Sequence, residues 1–481
     1  MQFFSKEKRP PFAEIFLTLQ SVRIVCAPYL THKKQKNKYM ELKIKKGLDL
    51  PIAGAVTDTN PVDVRAQRVA VVPDDFPGFI PKVDVREGDS VKAGQALMHH
   101  KNCAAVKLVS PVSGTVASVV RGERRKVLQV IIDVSGNDTV QHQISANATA
   151  AEIVETLAES GLLAMMRQRP YDIIPSPADR PRDIFVTAFD SAPLAVSRCY
   201  SADQAATMAA GVKLLSALTT GKVYISRRDE ANCPNVNGAE MVNVAGPHPS
   251  GLTGVQIANI KPVNKGEKVW TLSADTLLNI GRLAQTGQVD FTTEVAITGP
   301  EVAKPYIART TMGALVQPML NGCLNEANHH IRIISGNVLT GVREQLDGFL
   351  HYPYTQLTVI ADGDDVDEFM GWASLSPKKM SVHPSYPGSW FHRLFRPDAR
   401  TLGGRRAMIM SGEYDKYLPM DILPEYLLKA VQSGNIDAME RLGIYEVAPE
   451  DFALAEYADS SKLPLQQMIR NGLDFLRQEV E

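Results

Sequence analysis

The sequence predicts an α/β protein of several domains, and three observations predict it. At 481 residues the chain is long enough for two to four domains, each burying a core of its own. Residues 83–120 alternate short apolar runs with glycines, as short strands joined by tight turns do, because glycine takes positive φ at little steric cost. Beyond residue 146, helical spacing alternates with strand-like apolar runs, the pattern of parallel strands layered with helices. Apolar residues at 44% and charged residues at 22% suit an ordinary globular protein. No apolar run approaches the roughly 18 residues that span a bilayer, so any membrane association is expected to be peripheral. Five cysteines (Cys26, Cys103, Cys199, Cys233, Cys323) lie far apart and form no Cys-x-x-Cys pair. That spacing offers neither a disulfide framework nor an iron–sulfur or zinc site, as expected of a reducing compartment.

The N-terminus differs from the rest. Residues 1–46 hold eleven Lys/Arg and three Glu, a net of +8 in a chain of net −1. Three readings compete: a basic membrane-surface arm, a targeting segment, or an upstream extension from too early a start codon. Met40 to Ile52 reads as a well-formed domain opening, so the extension, residues 1–39, is the expectation.

Residues 40–145 form a β-rich domain. The runs Val83–Leu97 and Ser110–Val116 resemble the barrel-sandwich hybrid fold of lipoyl and biotin carrier domains. Such carriers present a lysine at a hairpin tip for the prosthetic group. The tip here is read as Asn102-Cys103-Ala104-Ala105, which puts Cys103 or Ala104 at the lysine position and Lys101 and Lys107 off the tip. The carrier fold is expected without the carrier chemistry.

Residues 146–293 read as a Rossmann-like α/β layer. A helical stretch at Ala151–Leu157 precedes a buried strand at 183–190, a helix from Ala205 to Thr219 and a strand at 222–226. Ser191-Ala192-Pro193-Leu194 sits where open α/β sheets tend to bind ligands, and a plain turn is the alternative. Residues 294–375 supply four strand runs and one helix near 312–322, which fits a ubiquitin-like β-grasp domain. Residues 376–481 hold an aromatic and basic segment, then helices. There Leu465, Met468, Ile469, Leu473 and Leu476 mark one apolar helix face, expected to be core.

Several segments, in order, resemble the A-subunit family of the Na+-translocating NADH:quinone reductases, bacterial respiratory sodium pumps. After Met40–Ile52 come Ser110–Gly114 with Arg121-Gly122, Arg167-Gln168-Arg169-Pro170, Asp190 with Pro193-Leu194-Ala195, and Leu215–Tyr224. Gly246-Pro247-His248-Pro249-Ser250-Gly251-Leu252, Arg332–Gly336, Gly371-Trp372-Ala373 and Leu418–Asp421 complete the series. The resemblance implies a β-grasp domain of the SLBB type and an α/β layer related to the flavoprotein subunit of complex I. It also implies a peripheral place on the cytoplasmic face of the bacterial inner membrane. The implied partners are the other subunits, chiefly the membrane-embedded flavin-bearing one, with quinone nearby and no nucleic acid.

Redox groups are not expected on this chain. Flavin-binding relatives place the phosphate on a glycine-rich loop, whose backbone N–H groups approach it closely. The equivalent stretch here, Gly161-Leu162-Leu163-Ala164-Met165-Met166-Arg167, carries bulky side chains, and no cysteine cluster follows. Some family members carry two C-terminal cysteines where this chain has Ala455 and Asp459. The resemblance therefore implies that NADH, FAD, FMN, riboflavin and iron centres act through other subunits. The Na+ path is expected elsewhere too, since it needs intramembrane polar groups. A flavin-dependent NADH dehydrogenase or Rnf-type subunit is the alternative, and a biotin or lipoyl carrier the third.

No catalytic residue and no metal ligand is assigned. Tyr386, Trp390, Phe391, Arg393, Phe395 and Arg396 alternate aromatics with cations, which marks interfaces, and a surface-lying helix is the competing reading. Arg121, in the basic turn Arg121–Lys126, either faces anionic groups or is merely solvated. His248, with Pro249 and Gly251, is a quinone-proximal candidate together with Arg121. An ordinary imidazole pKa near 6.5 suits a proton donor, against a structural role in a Pro-rich turn. His99-His100 and His329-His330 are adjacent, and neighbours on a strand face opposite ways, so neither pair shares a metal.

Overall fold

The computed structural model describes residues 39–480 except 146, 327–328, 365–375, 384–385 and 392. The basic stretch through residue 38 and Gly371-Trp372-Ala373 lie outside the described residues.

A six-stranded sheet forms the α/β layer. Met40–Lys43, Glu240–Ala245, Val223–Arg227, Ile184–Thr187 and Val269–Ser273 lie side by side in parallel, and Arg167–Arg169 closes one edge antiparallel. The inner strands Val223–Arg227, Ile184–Thr187 and Val269–Ser273 are buried on both faces because both are covered. Ile184, Val186, Val223 and Ile225 enter one core with helices Ala202–Ser216 and Ala274–Thr286. Phe185, Tyr224 and Val242 enter a second core with helix Thr253–Ile260 and the C-terminal helices. The first two helices meet backbone to backbone: a Cβ on Gly281 would lie 2.0 Å from the Thr207 carbonyl oxygen. Capping boxes, Thr149 with Glu152 and Ser201 with Gln204, start helices Ala150–Glu159 and Ala202–Ser216.

Two small antiparallel sheets build the barrel-sandwich hybrid. One holds Arg68–Val71, Val127–Val134, Gly114–Arg121 and Ser90–Val91, and the other Pro81–Val83, Ala96–His100 and Cys103–Val109. Its hairpin corrects the sequence reading. His100 pairs with Cys103, so the turn is Lys101-Asn102, and Lys101 sits at the tip, exposed, while Cys103 opens the return strand. Apolar alternation shows where strands run but not which two residues turn, and the reading slipped toward the C-terminal side.

The third unit is a mixed sheet in the order Val342–Glu344, Ile331–Ser335, Gln356–Ala361, Thr292–Thr298, Tyr306–Thr311, Pro61–Asp63. The helix read near 312–322 is one short turn, Gln317–Leu320. Gly313 breaks the run before it, at φ +74° and with its Cβ direction 2.2 Å from the Ala70 carbonyl oxygen.

Residues 40–63, read as the opening of the carrier-like domain, lend their strands to the other two sheets. Short strands of three or four residues carry no local record of their partner. The fold class is as expected: an α/β multidomain chain with a barrel-sandwich hybrid, a Rossmann-like layer and a β-grasp sheet. Helices Pro424–Gln432, Ile436–Arg441, Ala453–Ala458 and Leu465–Val480 end it. Leu465, Ile469, Leu473 and Leu476 are fully buried as their spacing predicts, and Met468 packs at the margin. Among the described residues no helix is long and apolar enough to cross a membrane.

Candidate functional site

Loops at the C-terminal ends of the parallel strands gather the conspicuous polar residues. His248 leaves strand Glu240–Ala245 through Gly246, whose φ of +139° and whose Cβ direction, 2.4 Å from the Ile44 carbonyl oxygen, admit only glycine. The His248–Pro249 bond is cis. The His248 backbone N–H donates to Asp49 Oδ1 at 2.8 Å, and its carbonyl accepts from Leu48 N–H at 2.8 Å. The loop thus staples the N-terminal strand to the sheet.

Ser191 joins it from strand Ile184–Thr187. Its Oγ lies 3.1 Å from His248 Nδ1 and accepts the Gly251 N–H at 2.8 Å. A Cβ on Gly251 would stand 2.6 Å from Ser191 N, so glycine is required for this approach. Arg228 donates to the Gly246 carbonyl at 2.9 Å and stacks 4.4 Å from the Phe189 ring centroid. From the β-grasp side, Gln356 Nε2 donates to the Pro193 carbonyl at 3.1 Å. The 191–194 turn is therefore a packing element between units.

His248 is 3% exposed, and burial pushes its imidazole pKa down to about 4. The ring is therefore neutral at pH 7, as the structural reading of this Pro-rich loop allows. Its Nε2 is buried with no hydrogen-bond partner among the described residues. The group can exchange a hydrogen bond with an acceptor or donor but carries no charge.

Arg121 does not join this cluster. It ends strand Gly114–Arg121, exposed, and its Nη1 donates to the Arg125 carbonyl of its own turn at 3.2 Å. Lys126 of that turn pairs with Asp74 at 2.6 Å.

The 386–396 segment is no helix. Its described residues hold one 3₁₀ turn, Pro387–Trp390, and a single parallel bridge from Phe395 to Ile52. Phe395 is buried: its N–H donates to the Pro51 carbonyl and its carbonyl accepts from Ala53 N–H, both at 2.8 Å. It is an anchor, not a contact residue. Arg396 donates to the Pro300 carbonyl and reaches Glu301 at 3.3 Å, and Arg393 donates to the Pro377 carbonyl and lies over the Phe395 ring. Tyr386 is half-buried. Trp390, Phe391 and Leu394 stand 65%, 52% and 68% exposed on this tethered frame.

The stretch compared with flavin loops is packed with apolar side chains. Leu162, Leu163, Ala164 and Met166 are fully buried in the first core, and the Cβ direction of Gly161 points 2.9 Å from Val109 Cγ2. Ala455 is core, and Asp459 accepts hydrogen bonds from Tyr414 Oη and from the Ser461 and Leu463 N–H groups. Among the described residues no group of three His, Cys, Asp or Glu side chains could hold a metal. His99 pairs with Asp84 and His100 with the Gly78 carbonyl, while His329 and His330 face Glu301 and Asp364.

Sequence reasoning missed two constellations. His351 bridges Asp75 and Glu344, with Nδ1 at 2.6 Å and Nε2 at 2.8 Å. Arg332 and Tyr457 line a cleft of about 900 Å³ between the β-grasp sheet and the C-terminal helices. These partners are separated by up to 276 positions, and no periodicity links them.

The comparisons with known proteins agree with this architecture. Family models match in three blocks: the NqrA N-terminal barrel-sandwich hybrid domain over residues 42–135, the NqrA second alpha/beta domain over 148–289, and the NQRA C-terminal domain over 294–345. Among curated relatives, a Serratia proteamaculans protein is 36% identical over 450 residues, covering 91% of this chain and all of the relative. Relatives from Neisseria meningitidis and Hahella chejuensis are 35% and 36% identical with the same coverage. All three bear the name of the A subunit of the Na+-translocating NADH-quinone reductase.

Proposed function

Because this chain belongs to the NqrA family, the A subunits of the Na+-translocating NADH-quinone reductases, an oxidoreductase complex, we propose that it serves that complex as a peripheral, cofactor-free docking subunit. It sits on the cytoplasmic face against the membrane-embedded flavin-bearing subunit, near the place where quinone is reduced. The observation that carries the docking reading is the exposed Trp390, Phe391 and Leu394 cluster, tethered by the buried Phe395 and the Arg393 and Arg396 contacts. An aromatic anchor such as Trp390, buried at the centre of a partner surface, is worth about 2 kcal/mol.

Electron carriers then belong to the other subunits, a reading supported by the apolar filling of the 161–166 turn. The quinone-proximal candidate is the His248 loop, with Pro249 and Gly251 fixing it, and contact with the buried Nε2 requires the loop to open. Arg121 is the second candidate, supported only by its exposure.

The test is co-purification of the tagged full chain carrying Trp390→Ser and Phe391→Ser from detergent-solubilised native membranes. Recovery of the membrane subunits should fall tenfold or more, with the thermal midpoint of the isolated chain unchanged. Unchanged recovery refutes docking through this segment.

A further inference from the structure

The cleft between the β-grasp sheet and the C-terminal helices has the size of a ligand site, about 900 Å³. Its lining combines two kinds of surface. Leu50, Ile52, Ile334, Leu339, Ile360 and Leu463 contribute an apolar part drawn from three regions of the chain. The polar part is lopsided: seven Lys and Arg side chains against two carboxylates.

Both carboxylates are already engaged. Asp398 accepts from Arg400 at 2.6 Å, and Glu456 accepts the Gln466 N–H at 2.8 Å. Lys378, Arg406 and Lys462, by contrast, have no side-chain hydrogen bond or ion pair among the described residues. Two further lining residues carry buried polar atoms that make no hydrogen bond among the described residues, Tyr457 Oη and Arg332 Nε. A buried donor left unpaired costs about 1–3 kcal/mol, so such atoms favour an acceptor beyond the described residues. Burial pushes the Tyr457 pKa up to about 12, which keeps that hydroxyl a donor at pH 7. Arg332 is held in place by Asp362, 2.6 Å from its Nη2.

From this juxtaposition we infer that the cleft is a binding site for an amphipathic anion, an apolar body bearing a phosphate or carboxylate head. The apolar walls take the body. Lys378, Arg406 and Lys462 meet the head's charge, and Tyr457 and Arg332 donate to its oxygens. The head can come from an anionic phospholipid or from a soluble organic phosphate, and both present the same chemistry.

Isothermal titration of the full chain tests this with four probes: dihexanoylphosphatidylglycerol below its micellar concentration, 1-naphthyl phosphate, dihexanoylphosphatidylcholine and inorganic phosphate. The expected result is that one or both of the first two bind at least about tenfold more tightly than the last two. The tighter of the first two identifies the source. The triple variant Lys378→Gln, Arg406→Gln, Lys462→Gln should lose about tenfold in that affinity with an unchanged thermal midpoint, and Tyr457→Phe should weaken it too. Equal binding of the choline lipid overturns the role of charge, and equal binding of inorganic phosphate overturns the role of the apolar walls. No binding by either amphipathic anion, or full affinity in the triple variant, overturns the site.

Discussion

Raising the pH from 7 to 10 should cost the folded chain about 2.5 kcal/mol through one side chain, His351. Its ring joins Asp75 of the barrel-sandwich unit to Glu344 of the β-grasp sheet, at 2.6 and 2.8 Å. The neighbouring Tyr352 N–H donates to the second Asp75 oxygen at 2.9 Å, and Tyr352 Oη donates to the Met165 carbonyl of the α/β unit at 2.6 Å. Three units therefore meet at this clamp. The flanking carboxylates outweigh burial and raise the His351 pKa to about 9. A group whose folded pKa is raised contributes fully below its unfolded pKa, near 6.5, and loses the contribution as pH rises through the folded value. The proton binds about 300-fold more tightly in the folded chain, of which about 2.5 kcal/mol is realised at pH 7 and almost none at pH 10. His351 and its partners are mostly buried, so solvent screening takes little of this.

The assay is urea unfolding of wild type and His351→Gln at pH 7, 8, 9 and 10. Titrations of groups remote from the clamp cancel in the difference, which leaves the His351 proton and its two carboxylate partners. The stability gap should be several kcal/mol at pH 7, because the variant leaves buried carboxylates without their cation. It should shrink by about 2.5 kcal/mol by pH 10. A gap that stays constant across this range refutes the charged clamp.

Two further outcomes follow from buried groups. Arg169 is fully buried and pairs with Asp451 at 2.7 Å and Glu450 at 3.0 Å, so Arg169→Met strands a buried carboxylate and should cost about 3–5 kcal/mol, read from urea midpoints; a loss under about 1 kcal/mol contradicts the pairing. His248, with its pKa lowered to about 4, should show no imidazole titration between pH 5.5 and 8 by NMR, and a midpoint near 6.5 would mean the ring is open to solvent.

Local pattern carried much of the fold. The apolar face of Leu465–Val480 obeys a helical period, and the strands Gln356–Ala361 and Ile184–Thr187 show as short apolar runs along the chain. Partner choice did not. Met40–Lys43 and Pro61–Asp63 pair with strands about 200 and 245 residues away, and nothing in four or three residues encodes that. The same distance limit hid the His351 clamp and the cleft, whose residues converge only through tertiary packing. His248 was picked out by its Pro-rich loop, yet its protonation state depends on burial, which no motif reports. Phe395 looked like one more interface aromatic; only the fold shows it turned inward.

The most direct test of the central claim is affinity purification of the tagged full chain from detergent-solubilised native membranes, with the eluate assayed for Na+-stimulated NADH:quinone reduction. The account predicts that this activity elutes with the chain, together with membrane flavoproteins, while the isolated chain is colourless. A chain that elutes alone, yellow and oxidising NADH by itself, would contradict it.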